Sequence, residues 1–152
     1  MPKIKFRTKT YRYYVGIDTG DNTGIACWEK KDNDIYVLET VKIHEAMDIV
    51  KELNDRSSGS ILVRIEDARL RKWIPRQKDI KTELARREGA GSVKRDASIW
   101  EDFLEDLGID YELVPPKNNK TKVKAEYFKS ITGYDKPTNE HSRDACMLVY
   151  GI

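Results

Sequence analysis

Residues Tyr11 to Glu29 read YRYYVGIDTGDNTGIACWE, and the fold turns on how this stretch is read. Tyr11 to Thr19 is rich in aromatic and β-branched residues, the composition of a strand. Gly20, Asp21, Asn22 and Gly24 supply turn chemistry, and Ile25 to Lys30 reads as a second strand. A polar tract, Lys31 to Asp34, precedes a third strand at Ile35 to Val41. Strands joined by connections this short pair as an antiparallel meander. Asp18 stands near the end of the first strand, an acid in an otherwise apolar run.

Beyond Val41 the period changes. Ile43, Ala46, Met47, Val50 and Leu53 recur at steps of three and four, which marks one face of a helix. Ser57 to Ser60 ends it. Ile61 to Glu66 (ILVRIE) is a short apolar run of the kind covered on both faces. Asp67 to Gly91 is basic and shows little helical patterning before Lys81; a connection of this length inside a compact domain is usually functional or mobile. Val93, Ala97, Trp100, Phe103, Leu104 and Leu107 define an amphipathic helix over Ser92–Leu107, stopped by Gly108. Tyr111 to Val114 is a fifth strand before Pro115 and Pro116. Val123 to Ile131 and Glu140 to Tyr150 read as two further helices, the last with Thr138 or Asn139 as N-cap and Gly151 beyond it. A meander followed by strand–helix alternation predicts an α/β domain. Its mixed five-stranded sheet combines three antiparallel strands with two parallel ones, flanked by helices on both faces.

With 152 residues, one such domain accounts for the chain: a basic extension over 1–10, then the folded domain over 11–152. Lys and Arg number 28 against 26 Asp and Glu, a net charge of +2, but the charge is unevenly spread. Lys3, Lys5, Arg7, Lys9 and Arg12 precede any acid, five lysines lie between Lys117 and Lys129, and Glu101 to Glu112 is acidic. Basic patches beside acidic ones suit a protein that meets a polyanion and holds cations. Cys27 and Cys146 lie in apolar stretches without metal-ligand spacing, as free thiols of a reducing compartment do. No run approaches the roughly 20 apolar residues of a membrane span, nor is there an apolar signal segment. A soluble, intracellular protein is expected.

Asp18 in VGIDTG and Glu66 in LVRIED each sit at the C-terminal end of a strand. If those strands are parallel neighbours, the two carboxylates meet in the crevice where open α/β sheets bind ligands. Burying an acid there is costly unless it is paired or binds a metal. His141 and Asp144 in EHSRDA are three apart and share a helix face, at the edge of the apolar run Ala145–Leu148. Each has a plainer reading: Asp18 as a turn cap, Glu66 paired with a nearby arginine, His141 and Asp144 as a helix-start pair. Taken together they describe a carboxylate cluster of the kind divalent cations stabilise. Mg²⁺ takes oxygen ligands and keeps waters, and two ions about 3.5–4 Å apart activate a water and stabilise the leaving oxygen in phosphodiester hydrolysis. His141 would act as a ligand or orient the water.

Asp18 in V-G-I-D-T-G, Glu66 in V-R-I-E-D and H-S-R-D-A at 141–145 together resemble the RuvC family of Holliday-junction resolvases, within the ribonuclease H-like superfamily. The resemblance runs from Tyr14 to nearly the end of the chain. It implies a ribonuclease H-like fold and a Mg²⁺-dependent crossover junction endodeoxyribonuclease, acting in DNA recombination and repair. Asp18, Glu66, His141 and Asp144 would be catalytic and would hold two Mg²⁺ ions, with Mn²⁺ able to substitute. The Val114-Pro115-Pro116 stretch followed by Lys117, Lys120 and Lys122 resembles the family's proline-and-lysine segment, whose lysines approach the DNA backbone. The resemblance further implies a homodimer, one active site for each of two symmetric cuts, with the interface on helix 92–107; Trp100 and Phe103 there read equally well as core. Two departures stand out: Arg69 occupies the place where bacterial members commonly carry an aromatic, and the N-terminal extension is additional. They suggest a divergent phage or mobile-element member, acting in the cytoplasm of a bacterial or phage-infected cell.

The basic connection supplies Arg69, Arg71, Lys72 and Arg76, with Lys78, Lys81, Arg86 and Arg87 further along. Such residues contact phosphates without reading sequence, and Trp73 among them can stack on an unpaired base or pack in the core. Three other functions share these features. VGIDTG also opens the actin-like sugar kinases and ATPases, which need two such domains. A non-catalytic structure-specific DNA-binding module would keep the fold. A nuclease of the same fold would act on other branched DNA or on RNA–DNA hybrids.

Overall fold

A computed structural model describes residues 9–70, 80–116 and 123–152, with backbone alone for 80–90 and Val93. The chain forms β1 (Tyr13–Asp18), β2 (Thr23–Glu29), β3 (Asp34–Val41), α1 (Ile43–Arg56), β4 (Ile61–Glu66), a 3-10 turn (Ala68–Leu70), α2 (Ile80–Leu107), β5 (Asp110–Val114), α3 (Ala125–Thr132) and α4 (Glu140–Met147). The five strands make one sheet in the order β3-β2-β1-β4-β5. The first three are antiparallel neighbours, and β4 and β5 run parallel to β1 and to each other. This is the mixed α/β sheet expected from the sequence, in an order compatible with a ribonuclease H-like fold.

Strand alternation divides the side chains between two covered faces. Tyr13, Val15 and Ile17 of β1, Ile25 and Cys27 of β2, and Ile61, Val63 and Ile65 of β4 point to one side. They pack there with Ala46, Val50 and Leu53 of α1 and with Trp100 and Leu104 of α2. On the other side Tyr14, Trp28 and Leu62 meet Leu148 and Val149, and Ala26 meets Phe128 of α3 with Ala145 and Cys146 of α4. Both cysteines are buried free thiols; burial in apolar surroundings pushes the Cys146 thiol up to about 12.

Two helices differ most from the sequence expectation. α2 begins at Ile80, twelve residues before Ser92. Its early turns contain Glu, Leu, Ala, Arg and Lys, good helix formers, but no apolar stripe, so periodicity does not reveal them. α4 stops at Met147 rather than Tyr150. Leu148 and Val149 donate to the carbonyls of Ala145 and Cys146, three residues back, which tightens the last turn and ends the α-helix. Trp100 is wholly buried and Phe103 packs edge-on against it 5.7 Å away, so these aromatics serve the chain's own core. Among its described residues, Ile99 and Leu107 are the exposed large apolar side chains of that helix. No helix among the described residues is long and apolar enough to cross a membrane.

Candidate active site

Gly16 and Gly24 set the position of the last helix. They lie on adjacent strands, on the face that α4 covers. A Cβ added to Gly16 would stand 2.0 Å from the carbonyl oxygen of Ala145, and one added to Gly24 would stand 2.0 Å from that of His141. Any side chain larger than hydrogen would lift α4 from the sheet. Its backbone therefore rests directly on β1 and β2, one helical turn on each glycine.

Gly24 is also the cross-strand partner of Asp18. The glycine that seats His141 is thus the neighbour of the acid that ends β1. The outcome is a contact between Nδ1 of His141 and Oδ2 of Asp18 at 3.0 Å. The Asp18 side chain is largely covered, at 16% exposure, and the imidazole is open, at 43%. A carboxylate at Nδ1 favours a proton on that nitrogen and leaves the lone pair on Nε2.

Glu66 joins them through register. Ile17 of β1 pairs with Ile65 of β4, so Asp18 and Glu66 follow at the same level on parallel neighbours. Glu66 shares the parity of Leu62 and Arg64. Leu62 packs with Leu148 and Val149, and Arg64 donates to the Leu148 carbonyl at 2.6 Å, so Glu66 too is on the α4 side. Asp144 lies one turn beyond His141 on α4. Asp18 and His141 are therefore in contact, Glu66 is level with Asp18 on the same sheet face, and Asp144 follows one turn later on the helix that covers that face. Asp18, Glu66 and Asp144 make further interactions of their own. Among the described residues no three His, Cys, Asp or Glu side chains converge as a ready-made metal-binding group. In donor type the set suits a hard divalent cation, being three carboxylates and one imidazole.

The N-terminus of α4 is anchored with equal care. Asn139 caps it, its Oδ1 accepting from the Ser142 amide at 3.0 Å and from the Thr40 hydroxyl of β3 at 2.6 Å. Arg143 ties the same end to the Val123 carbonyl and the Thr138 hydroxyl, both at 2.9 Å. At the far end Arg64 bonds Glu112 of β5 at 2.9 Å as well as Leu148. Of these, only the cap is visible in the sequence. Small residues at 16, 24 and 26 on one strand parity are the signal that marks a close helix approach.

On the opposite face Asp96 of α2 is 3% exposed, and among the described residues its side chain has Arg95 as its ion partner, at 3.8 Å. Burial raises its pKa above the usual carboxylate range, against the lowering effect of Arg95, and Asp21 of the β1–β2 turn adds to the rise. Among the expected DNA contacts, Arg69 is paired internally with Asp67 and Glu101. Glu66 has Asp67 as its immediate neighbour, and it is Asp67 that takes the nearby arginine. Arg71, Lys72, Trp73, Arg76, Lys117, Lys120 and Lys122 lie outside the described residues.

No protein-family model matches the chain, and no curated protein is significantly similar to it.

Proposed function

We propose that this protein is a metal-dependent nuclease that cuts phosphodiester bonds in branched DNA, with the four-way junction as its substrate. One observation carries the reading. Two acids end adjacent parallel strands on the face where α4 brings His141 within 3.0 Å of Asp18. Such a concentration of titratable groups at strand ends is where an open α/β sheet binds ligand.

Asp18, Glu66 and Asp144, with His141, are the residues that would hold Mg²⁺. When bound, the ions would activate a water and stabilise the leaving oxygen. The protein's own part is to present the carboxylates on one sheet face, and to hold His141 by its Nδ1 so that Nε2 is available to the water or the metal. The gathering depends on two glycines that admit no side chain, which is a costly arrangement for a surface with no role. The junction as substrate, and a homodimer making paired cuts, rest on the resemblance of the VGIDTG, VRIED and HSRDA segments to resolvases. Two exposed apolar residues on α2, Ile99 and Leu107, are available to such a dimer.

The test is direct. The protein is incubated with a synthetic four-way junction, a linear duplex and an RNA–DNA hybrid in Mg²⁺ or Mn²⁺, beside Asp18→Asn. Paired symmetric nicks in the junction alone, absent in the variant, are the expected result. Preferential cleavage of the hybrid would overturn the junction and leave the nuclease. Binding of junctions without any cleavage would identify a non-catalytic module.

A further inference from the structure

We infer that Arg69 is a positioning residue for Glu66, not a DNA contact. The inference rests on the nuclease reading above. The chain leaving β4 is held at Asp67 and again at Arg69. Asp67, one residue past Glu66, has a side chain only 1% exposed, and its amide donates to the Val114 carbonyl of β5 at 2.8 Å. Its carboxylate accepts from the Arg69 amide and from Arg69 Nε, each at 2.9 Å, with Nη2 at 2.7 Å from Oδ2. The same Nη2 reaches Glu101 Oε1 on α2 at 3.0 Å. Glu101 is itself fixed, since its Oε2 lies 2.9 Å from the Tyr111 hydroxyl of β5. The Tyr111 hydroxyl also lies 2.7 Å from Glu105.

The guanidinium thus joins three elements: the turn after Glu66, the helix α2 and, through Glu101, strand β5. Its planar fork suits this, because Nε and Nη2 can engage one carboxylate while Nη2 also serves another. A lysine offers a point charge and no fork. The charge balance argues against a role on DNA. The guanidinium lies between two carboxylates, Asp67 and Glu101, which already balance its charge. Groups that orient a ligand-bearing segment in this way tune metal affinity and rate without touching substrate.

The experiment compares Arg69→Gln, Arg69→Lys and Glu101→Gln with the wild type in three measurements. These are Mn²⁺ affinity of the free protein, four-way-junction affinity in Ca²⁺ over a salt series, and single-turnover junction cleavage against Mg²⁺ concentration. Glu101→Gln leaves the Asp67–Arg69 pair in place, so it remains informative if loss of Arg69 prevents folding. All three variants are expected to lose about 10–100-fold in Mn²⁺ affinity or in cleavage rate at limiting Mg²⁺. Junction affinity and its salt dependence should stay as in the wild type. The Arg69→Gln/Glu101→Gln double variant should be no slower than the slower single variant.

Unchanged metal affinity and cleavage in Glu101→Gln overturns the clamp. So does an Arg69→Gln variant with weaker binding and a salt slope reduced by about one phosphate contact, which would make Arg69 a DNA ligand. A wild-type protein that neither binds Mn²⁺ nor cleaves would instead remove the nuclease reading, and the clamp's purpose with it. An active wild type with unaffected variants removes the clamp alone.

Discussion

His141 and Asp18 are 123 positions apart in the chain, yet Nδ1 of one stands 3.0 Å from Oδ2 of the other. The first strand supplies the acid and the last helix the imidazole, and Gly24, opposite Asp18 in the sheet, is where the helix backbone rests. The pair makes the two ends of the domain depend on each other. Replacing either partner should abolish function without abolishing the fold. Asp18→Asn and His141→Ala are each expected to reduce single-turnover cleavage by about a hundredfold or more, with junction binding retained in Ca²⁺. Cleavage within a few-fold of wild type in either variant would remove that residue from the active site.

Gly24→Ala tests the seat itself. The new methyl would meet the His141 carbonyl at 2.0 Å, a distance no packing tolerates, so α4 must move. Overpacking of this kind costs about 1–3 kcal/mol and sometimes more. A lower midpoint of thermal unfolding should accompany a loss of cleavage larger than the stability change explains, because the shift separates His141 from Asp18. Gly108, at the end of α2, has open space about its Cα but a φ of +66°. Its Ala variant should cost stability and spare activity. Equal activity loss in both variants would disprove the seat.

Asn139→Ala removes the cap of α4 and its bond to Thr40 together. Losing a cap of this type costs about 1 kcal/mol, readable in denaturant unfolding. Asn139→Ser retains an acceptor for the Ser142 amide and should recover part of it. If the two variants are equally destabilised, the side-chain cap is not what anchors the helix.

Asp96 provides a pH test on the opposite face. Its folded pKa lies above the unfolded value of about 3.9 for aspartate, because burial penalises the charged form. The sign follows from linkage. The stability associated with the neutral acid is present below the unfolded pKa and is lost as pH rises through the folded one. Asp96→Asn, which stays neutral throughout, should therefore unfold at a higher temperature than wild type at pH 8. The gap should narrow as pH falls toward 4. A variant less stable than wild type at pH 8 would show that the ionised form is favourably paired.

DNA binding should be strongly dependent on salt if the lysines and arginines of segments 71–79 and 117–122 track phosphates. Engaging six phosphates costs roughly a thousandfold in affinity between about 50 and 200 mM monovalent salt. An affinity that barely changes over this range would point away from a phosphate-tracking surface.

The placement of the candidate residues was largely legible in the sequence, because Asp18 and Glu66 interrupt apolar strands and His141 and Asp144 are spaced for one helix face. Arg69 was not. A basic residue in a basic stretch reads as a contact for a polyanion, and nothing local reveals that Asp67 and Glu101 take its guanidinium. Trp100 was ambiguous for a related reason. An aromatic on an amphipathic helix serves a core or an interface equally well until the element opposite it is known; the sheet residues Val15, Val63 and their neighbours fill that place.

The amino-acid order by itself determined the elements and their sequence along the chain. Period and turn chemistry are local properties, and they hold over a few residues at a time. It also determined the inventory of acids at strand ends. Only the tertiary structure decided which of them meet. Parity puts Asp18 and Glu66 on one face, but it takes β4 beside β1 in parallel to set them level. Spacing puts His141 on a helix, but it takes two bare glycines to bring that helix within reach of Asp18. Those are long-range packing relationships, in which the space left by one residue is filled by another more than a hundred positions away.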